Sequence, residues 1–264
     1  MDTLHTLTAN DGVELAYRTF GTGSTDVVLV HGWMMSGAVY DDLLAALGND
    51  GVRWIVPDLR GTGRSGSADG TYTIAQYASD VIAVADAAGA KTFALVGHSM
   101  GGQVAQLLAA NWPERVLGAV LLCPVPASGM TLPDDARGLF SSSGQNREMQ
   151  KTILGLACKT LPEAARERLL DDAGKIMPEC IHAAFTAWSG ANFADKLGSI
   201  TAPVLVVGTD DPFLPQDFLR AAVSSKIKRA SLVYLPGPGH YPGSEAPRET
   251  AAIVRAFLAP LLQG

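Results

Sequence analysis

Gly97-His98-Ser99-Met100-Gly101-Gly102 is the stretch with the clearest chemical meaning in this 264-residue chain. Its G-x-S-x-G core follows an apolar run ending at Val96 and precedes a helical run starting near Gly102. That is the strand–turn–helix setting of a nucleophile elbow. The serine of such a turn sits in a strained backbone conformation, and a β-carbon at Gly97 or Gly101 would crowd it. The turn holds Ser99 Oγ above a sheet, while the helix N-terminus directs partial positive charge toward a developing oxyanion. The plainer reading, a glycine-rich connection with an incidental serine, is disfavoured by the elements on both sides.

A nucleophilic serine needs a base, and the base needs a carboxylate to orient it. Five histidines compete for the first role. His5 lies in the first strand, His182 in a separate helical region, and His31 ends an early strand. His98 points away from the tip of the elbow if Ser99 points toward the site. His240 follows Pro236-Gly237-Pro238-Gly239, a rigid loop at the carboxyl end of the last strand. We therefore assign the base to His240. For the acid, Asp210 and Asp211 both follow the strand Val204 to Val207. Asp211 is favoured, with Asp210 exposed or accepting a hydrogen bond from the turn. The resulting order, Ser99…Asp211…His240, is the chain order of one among several folds that build this triad.

Those residues need a scaffold that brings distant segments to one edge. Leu4 to Thr8 and Val13 to Thr19 read as two strands joined by Asn10-Asp11-Gly12, a hairpin signal. Val27 to Val30 differs, being apolar on both faces like a strand covered by helices on each side. That pattern returns at Trp54–Val56, Phe93–Val96, Ala119–Leu122, Val204–Val207 and Leu232–Leu235. Helical periodicity falls between them at Ile74–Ala88, opened by a Thr73-x-x-Gln76 capping box, and at Gln103–Asn111 and Thr250–Leu262. The expected fold is α/β: a mostly parallel eight-stranded sheet flanked by helices. Residues 1–124 and 200–264 form its core. Residues 125–199 break the rhythm with helices at Arg147–Leu156, Glu163–Ala173 and Pro178–Trp188. They read as a helical cap inserted after the sixth strand, over the carboxyl edge where open α/β sheets bind ligands.

Composition narrows the classes. With 47% apolar and only 17% charged residues the chain has enough apolar surface to fold, and disorder is excluded as its dominant state. A net charge of −6 without a basic stripe argues against a nucleic-acid partner. Cys123, Cys158 and Cys180 show no metal-ligand spacing and are odd in number, so neither a disulfide framework nor a metal site is expected. The N-terminus lacks a basic flank and an apolar signal core, and no apolar run reaches the ~18 residues of a membrane span. The sequence reads as a soluble cytoplasmic protein with no membrane partner, a monomer or homodimer.

One motif misleads. Gly61-Thr62-Gly63-Arg64-Ser65-Gly66 matches G-x-G-x-x-G after a strand. A dinucleotide site needs a helix opening within the motif and an acid at the end of a second strand. Here Ser67 to Thr71 is turn-like, the helix waits until Ile74, and Asp80 falls inside it. A structural turn bound by Asp58 is the better reading, and no cofactor is expected.

Taken together, the sequence resembles the α/β-hydrolase fold superfamily over almost its whole length apart from the cap. The resemblance rests on His31-Gly32-Trp33, Asp58-Leu59-Arg60-Gly61-Thr62-Gly63-Arg64-Ser65, the elbow, Asp211-Pro212 and Gly239-His240. Within that superfamily it is similar to small esterases, lactonases and cofactor-free haloperoxidase or perhydrolase relatives. The resemblance implies an oxyanion hole from the backbone N–H groups of Trp33 and Met100. Position alone agrees for Met100, which follows the nucleophile; for Trp33 it says only that its loop reaches the same sheet edge. His31 is expected to brace that loop. Met34, Phe140, Met177, Phe185 and Trp188 are candidates for an apolar substrate pocket. The expected activity is hydrolysis of a small or medium hydrophobic ester or lactone through an acyl-enzyme. Hydrolysis of a C–C bond in a ring-cleavage product, with Asn192 or Arg147 holding an enolate, and a hydrolase-fold ligand receptor are the alternatives.

Overall fold

The computed structural model describes residues 3–49, 51–66 and 71–262. Eight strands form one sheet: β1 (Thr3–Thr8), β2 (Glu14–Phe20), β3 (Thr25–Val30), β4 (Val52–Pro57), β5 (Phe93–His98), β6 (Val116–Leu122), β7 (Val204–Thr209) and β8 (Ala230–Leu235). Their spatial order is β1-β2-β4-β3-β5-β6-β7-β8. Only β2 runs antiparallel to its neighbours β1 and β4; every other pair is parallel.

Ten α-helices are described among these residues. They are α1 (Asp41–Leu47), α2 (Ile74–Ala87), α3 (Met100–Asn111), α4 (Asp134–Ser141), α5 (Arg147–Ala157), α6 (Glu163–Ala173), α7 (Pro178–Gly190), α8 (Gln216–Ala222), α9 (Pro242–Glu245) and α10 (Pro247–Leu258). Helices α4 to α7 fill the interval between β6 and β7 and make the cap. None of the described helices is long and apolar enough to cross a membrane.

Register aligns the strand ends that matter. Val30 of β3 pairs with Gly97 of β5, His98 with Leu122 of β6, Leu122 with Val207 of β7, and Thr209 with Leu235 of β8. The loops that follow these strands therefore leave from one edge of the sheet, side by side. The central strands are sealed on both faces. Val27, Val28, Leu29, Val30, Leu95 and Val96 are wholly inaccessible, as runs of branched apolar residues between two helical layers should be. β8 departs from that expectation. It is the last strand of the sheet and mostly half-exposed, with Tyr234 at 42% accessibility, because no strand among the described residues pairs with its outer side.

Helix boundaries differ where capping decides them. Thr73 Oγ1 accepts from Gln76 N at 3.0 Å, which starts α2 as expected, but the Gln76 side chain donates to Asp80 rather than back to the cap. The last helix begins earlier than periodicity indicated, at Pro247, and passes into a 3₁₀ turn at Ala259–Leu262. The Gly61–Gly66 segment is bound by Asp58, whose carboxylate accepts from Gly37 N at 2.8 Å and Arg64 N at 2.9 Å. A Cβ on Gly63 would lie 2.4 Å from that carboxylate. Asp80 pairs with the buried Arg60 guanidinium through two bonds of 2.6 and 2.7 Å. The turn expected at Ser67 to Thr71 lies, except for Thr71, outside the described residues.

Candidate active site

Ser99 lies between the end of β5 and the first residue of α3, at φ 54° and ψ −119°. An L-residue is held in that left-handed region only when its surroundings over-determine it. Here they do. A Cβ at Gly97 would lie 2.5 Å from Gly101 O, and one at Gly101 would lie 2.0 Å from Val30 O. Three backbone bonds clamp the Ser99 carbonyl, from Gly102 N, Gln103 N and Val125 N. The tight packing of β3, β5 and α3 thus fixes where Ser99 Oγ projects.

The side chain of His240 lies beside it. Its Nε2 is 2.9 Å from Ser99 Oγ, and its Nδ1 is 2.6 Å from Asp211 Oδ2. A carboxylate can only accept, so Nδ1 carries the proton and Nε2 is left to accept from the serine hydroxyl. Asp211 is 2% exposed, and its other oxygen accepts from Phe213 N at 2.8 Å. Burial alone would raise the Asp211 carboxyl, but the charge and hydrogen bond of His240 and the amides of Phe213 and Leu214 outweigh it and hold the group below its ordinary value. Asp210 faces outward and accepts from Tyr234 Oη and Gly237 N.

The other histidines have different partners. His31 Nδ1 donates to Gly32 O at 2.8 Å and Nε2 accepts from Leu59 N at 2.9 Å, which braces the loop after β3. His98 Nε2 donates to the carbonyl of His240 at 2.7 Å, so it holds the backbone of the residue that touches Ser99. Complete burial, then the neighbouring His240, push the His98 ring down to about 3 and keep it neutral. That tether had no sequence signal beyond the place of His98 at a strand end.

Trp33 follows Gly32, where a Cβ would stand 3.0 Å from the Ser99 Cβ, so this loop runs against the serine. Met100 opens α3 directly after it. Neither backbone N–H has a protein acceptor among the described residues. The Trp33 indole instead reaches the cap, donating to Ile181 O at 2.9 Å.

Above Ser99 and His240 lies a small apolar cavity of about 40 Å³. Trp33, Phe140 and Trp188 line it, with the Trp33 and Phe140 rings stacked at 5.1 Å and 7°. Phe185 is buried behind that wall, 5.2 Å from the Trp188 ring, and supports it without lining the cavity. Two expected residues are elsewhere. Met34 is buried at φ 66° in the loop after β3, where the turned backbone leaves it in the core rather than at the cavity. Met177 caps α7, is 42% exposed, and accepts from Gln145 Nε2. The residues missed are Val125, Phe213, Leu214 and Tyr241, each beside a strand end or a reacting group, and Ile153 and Ala157 on α5. Spacing of four between the last two puts them on one helix face, a signal that was present in the sequence. Arg147 pairs with Asp171 and Glu167 on the surface, and Asn192 is exposed, so neither enters the cavity.

Cys123 Sγ, Asp211 and His240 place three possible ligand atoms within 4.8 Å of one another. Two of those groups are bonded to each other, and burial raises the Cys123 thiol well above its ordinary value, which keeps it protonated. Asp211 and His240 of this cluster are thus already engaged with each other.

Residues 27–253 match the Alpha/beta hydrolase family. The chain belongs to that family. Along the sequence, this hydrolase is 35% identical over 254 residues to a non-heme chloroperoxidase of Kitasatospora aureofaciens, covering 88% of this chain and 90% of the relative. It is 26% identical over 269 residues to a bifunctional esterase/perhydrolase of Acinetobacter calcoaceticus, covering 91% and 94%. Among solved structures it is similar to an esterase from Rhodococcus sp. ECU1013, with a TM-score of 0.84, 26% identity and coverage of 97% and 98%.

Proposed function

We propose that this hydrolase cleaves carboxylic esters or lactones of small to medium hydrophobic acids through an acyl-enzyme on Ser99. One observation carries the reading: an unbroken hydrogen-bonded line from Asp211 through His240 to Ser99, ending in an apolar cavity. In the first step His240 Nε2 takes the proton as Ser99 Oγ attacks the acyl carbon. Asp211 keeps the ring in the tautomer that accepts there and stabilises the imidazolium that forms. The charge that develops on the substrate oxygen is met by the free N–H groups of Trp33 and Met100 and by the N-terminus of α3, each donor contributing about 3 kcal/mol. His240 then returns its proton to the leaving oxygen, activates water, and the acyl group leaves Ser99 as the acid.

The cavity supports an apolar acyl group, since its walls are aromatic and aliphatic and, among the described residues, no charged side chain other than the reacting ones lines it. The relative named esterase/perhydrolase supports hydrogen peroxide as a second acceptor of the same acyl group, which would give a peracid. Steady-state turnover of a series of p-nitrophenyl esters and lactones, against a ring-cleavage dienoate, tests the reading. Esters or lactones should turn over and the dienoate should not, and Ser99→Ala should lower ester kcat by at least about 10³-fold. Retention of more than a few per cent of wild-type turnover in that variant would refute the role of Ser99.

A further inference from the structure

Glu245 closes the short helix α9, and backbone N–H groups from two distant parts of the chain converge on its carboxylate. Oε2 accepts from Gly239 at 2.9 Å, Lys159 at 2.7 Å and Thr160 at 2.8 Å; Oε1 accepts from Tyr241 at 3.1 Å. Gly239 and Tyr241 flank His240. Lys159 and Thr160 lead out of α5, the cap helix whose Ile153 and Ala157 line the cavity. The backbone of His240 joins the same seam, its N–H donating to Ala157 O at 2.9 Å. At the closest approach stands Gly239, where a Cβ would lie 2.3 Å from Ala157 O.

Four donors on one side chain need the acceptor capacity of an ionised carboxylate; an amide offers one acceptor oxygen and would turn its own N–H groups on the remaining donors. We propose that Glu245 is a positioning residue that holds the His240 loop against the end of α5, so that the seating of the cap and the aim of the base form one unit. The proposal rests on the reading of His240 as the base of Ser99. Glu245 does not line the cavity, so it acts through His240 and not on the substrate.

The test compares wild type, Glu245→Ala, the near-isosteric Glu245→Gln and, from the opposite side of the seam, Gly239→Ala. Misplacing a base by a fraction of an ångström should lower ester kcat and the rate of fluorophosphonate inactivation together, roughly 10- to 100-fold, with KM within about threefold. Amide exchange at Lys159, Thr160, Gly239 and Tyr241 should rise in the Glu245 variants. If exchange rises and the melting temperature falls while kcat stays at wild-type level, Glu245 is only structural and the proposal fails. Should Glu245→Ala not fold, the Gln variant carries the same comparison. Wild-type enzyme that never reacts with the fluorophosphonate would overturn the acyl-enzyme itself, and the positioning role with it.

Discussion

Ser99, His240 and Asp211 show how local chemistry depends on backbone that is fixed before any substrate arrives. The strained φ of Ser99 persists because glycines at 97 and 101 let two strands and a helix close around it. Asp211 also has a consequence for stability. A carboxyl held below its ordinary value in the folded chain adds stability at pH above the unfolded value, about 3.9. That contribution vanishes as pH falls through the lower folded value. Urea unfolding at pH 6 and pH 3 should therefore show a smaller acid-induced loss of stability in Asp211→Asn than in wild type. An equal loss in both would contradict the carboxylate's lowered value. The cavity wall offers a second residue-level test. Phe140→Ala removes one face of the Trp33 stack and should move preference toward longer acyl chains by about tenfold in kcat/KM. Met177→Ala, at an exposed position outside the cavity, should leave the chain-length profile unchanged. Measuring that profile across acetate to octanoate esters checks both.

At the scale of elements, carboxylates bind the cap into the sheet edge on two sides, besides the Trp33–Ile181 bond. On one side Glu245 and Ala157 meet the histidine loop. On the other, Asp172 of α6 accepts from Ser36 N at 2.8 Å and from Ser36 Oγ at 2.8 and 2.9 Å, in the loop that continues from Trp33. Asp172 is 8% exposed, so these are charge-assisted bonds out of water, worth about 1.5–3 kcal/mol against loss of the carboxylate. Asp172→Asn should lower unfolding free energy by that order in urea titration. A change below about 0.5 kcal/mol, the size expected of a plain surface substitution, would show that the contact does not hold the cap.

Across the whole molecule, low charge and abundant glycine follow from one arrangement: parallel strands buried on both faces, and tight loops meeting at one edge. The sheet was legible because unbroken branched apolar runs identify strands covered on both sides. Ser99, Asp211 and His240, which the fold brings within hydrogen-bonding distance of one another, were legible because each lies in the loop or turn that follows such a run. β8 was misjudged because an apolar run does not reveal whether a further strand pairs with it. Met34 and Met177 were misplaced because side-chain type does not tell which way a turned loop or a helix cap points. Glu245 and His98 carried no signal, since their partners are backbone atoms brought near only by the fold.

The most direct measurement is intact-protein mass spectrometry with peptide mapping after treatment with a fluorophosphonate. One adduct per chain is expected, on Ser99, absent from Ser99→Ala and formed far more slowly in His240→Ala. A label on another residue, or unmodified wild-type protein, would contradict Ser99 as the nucleophile.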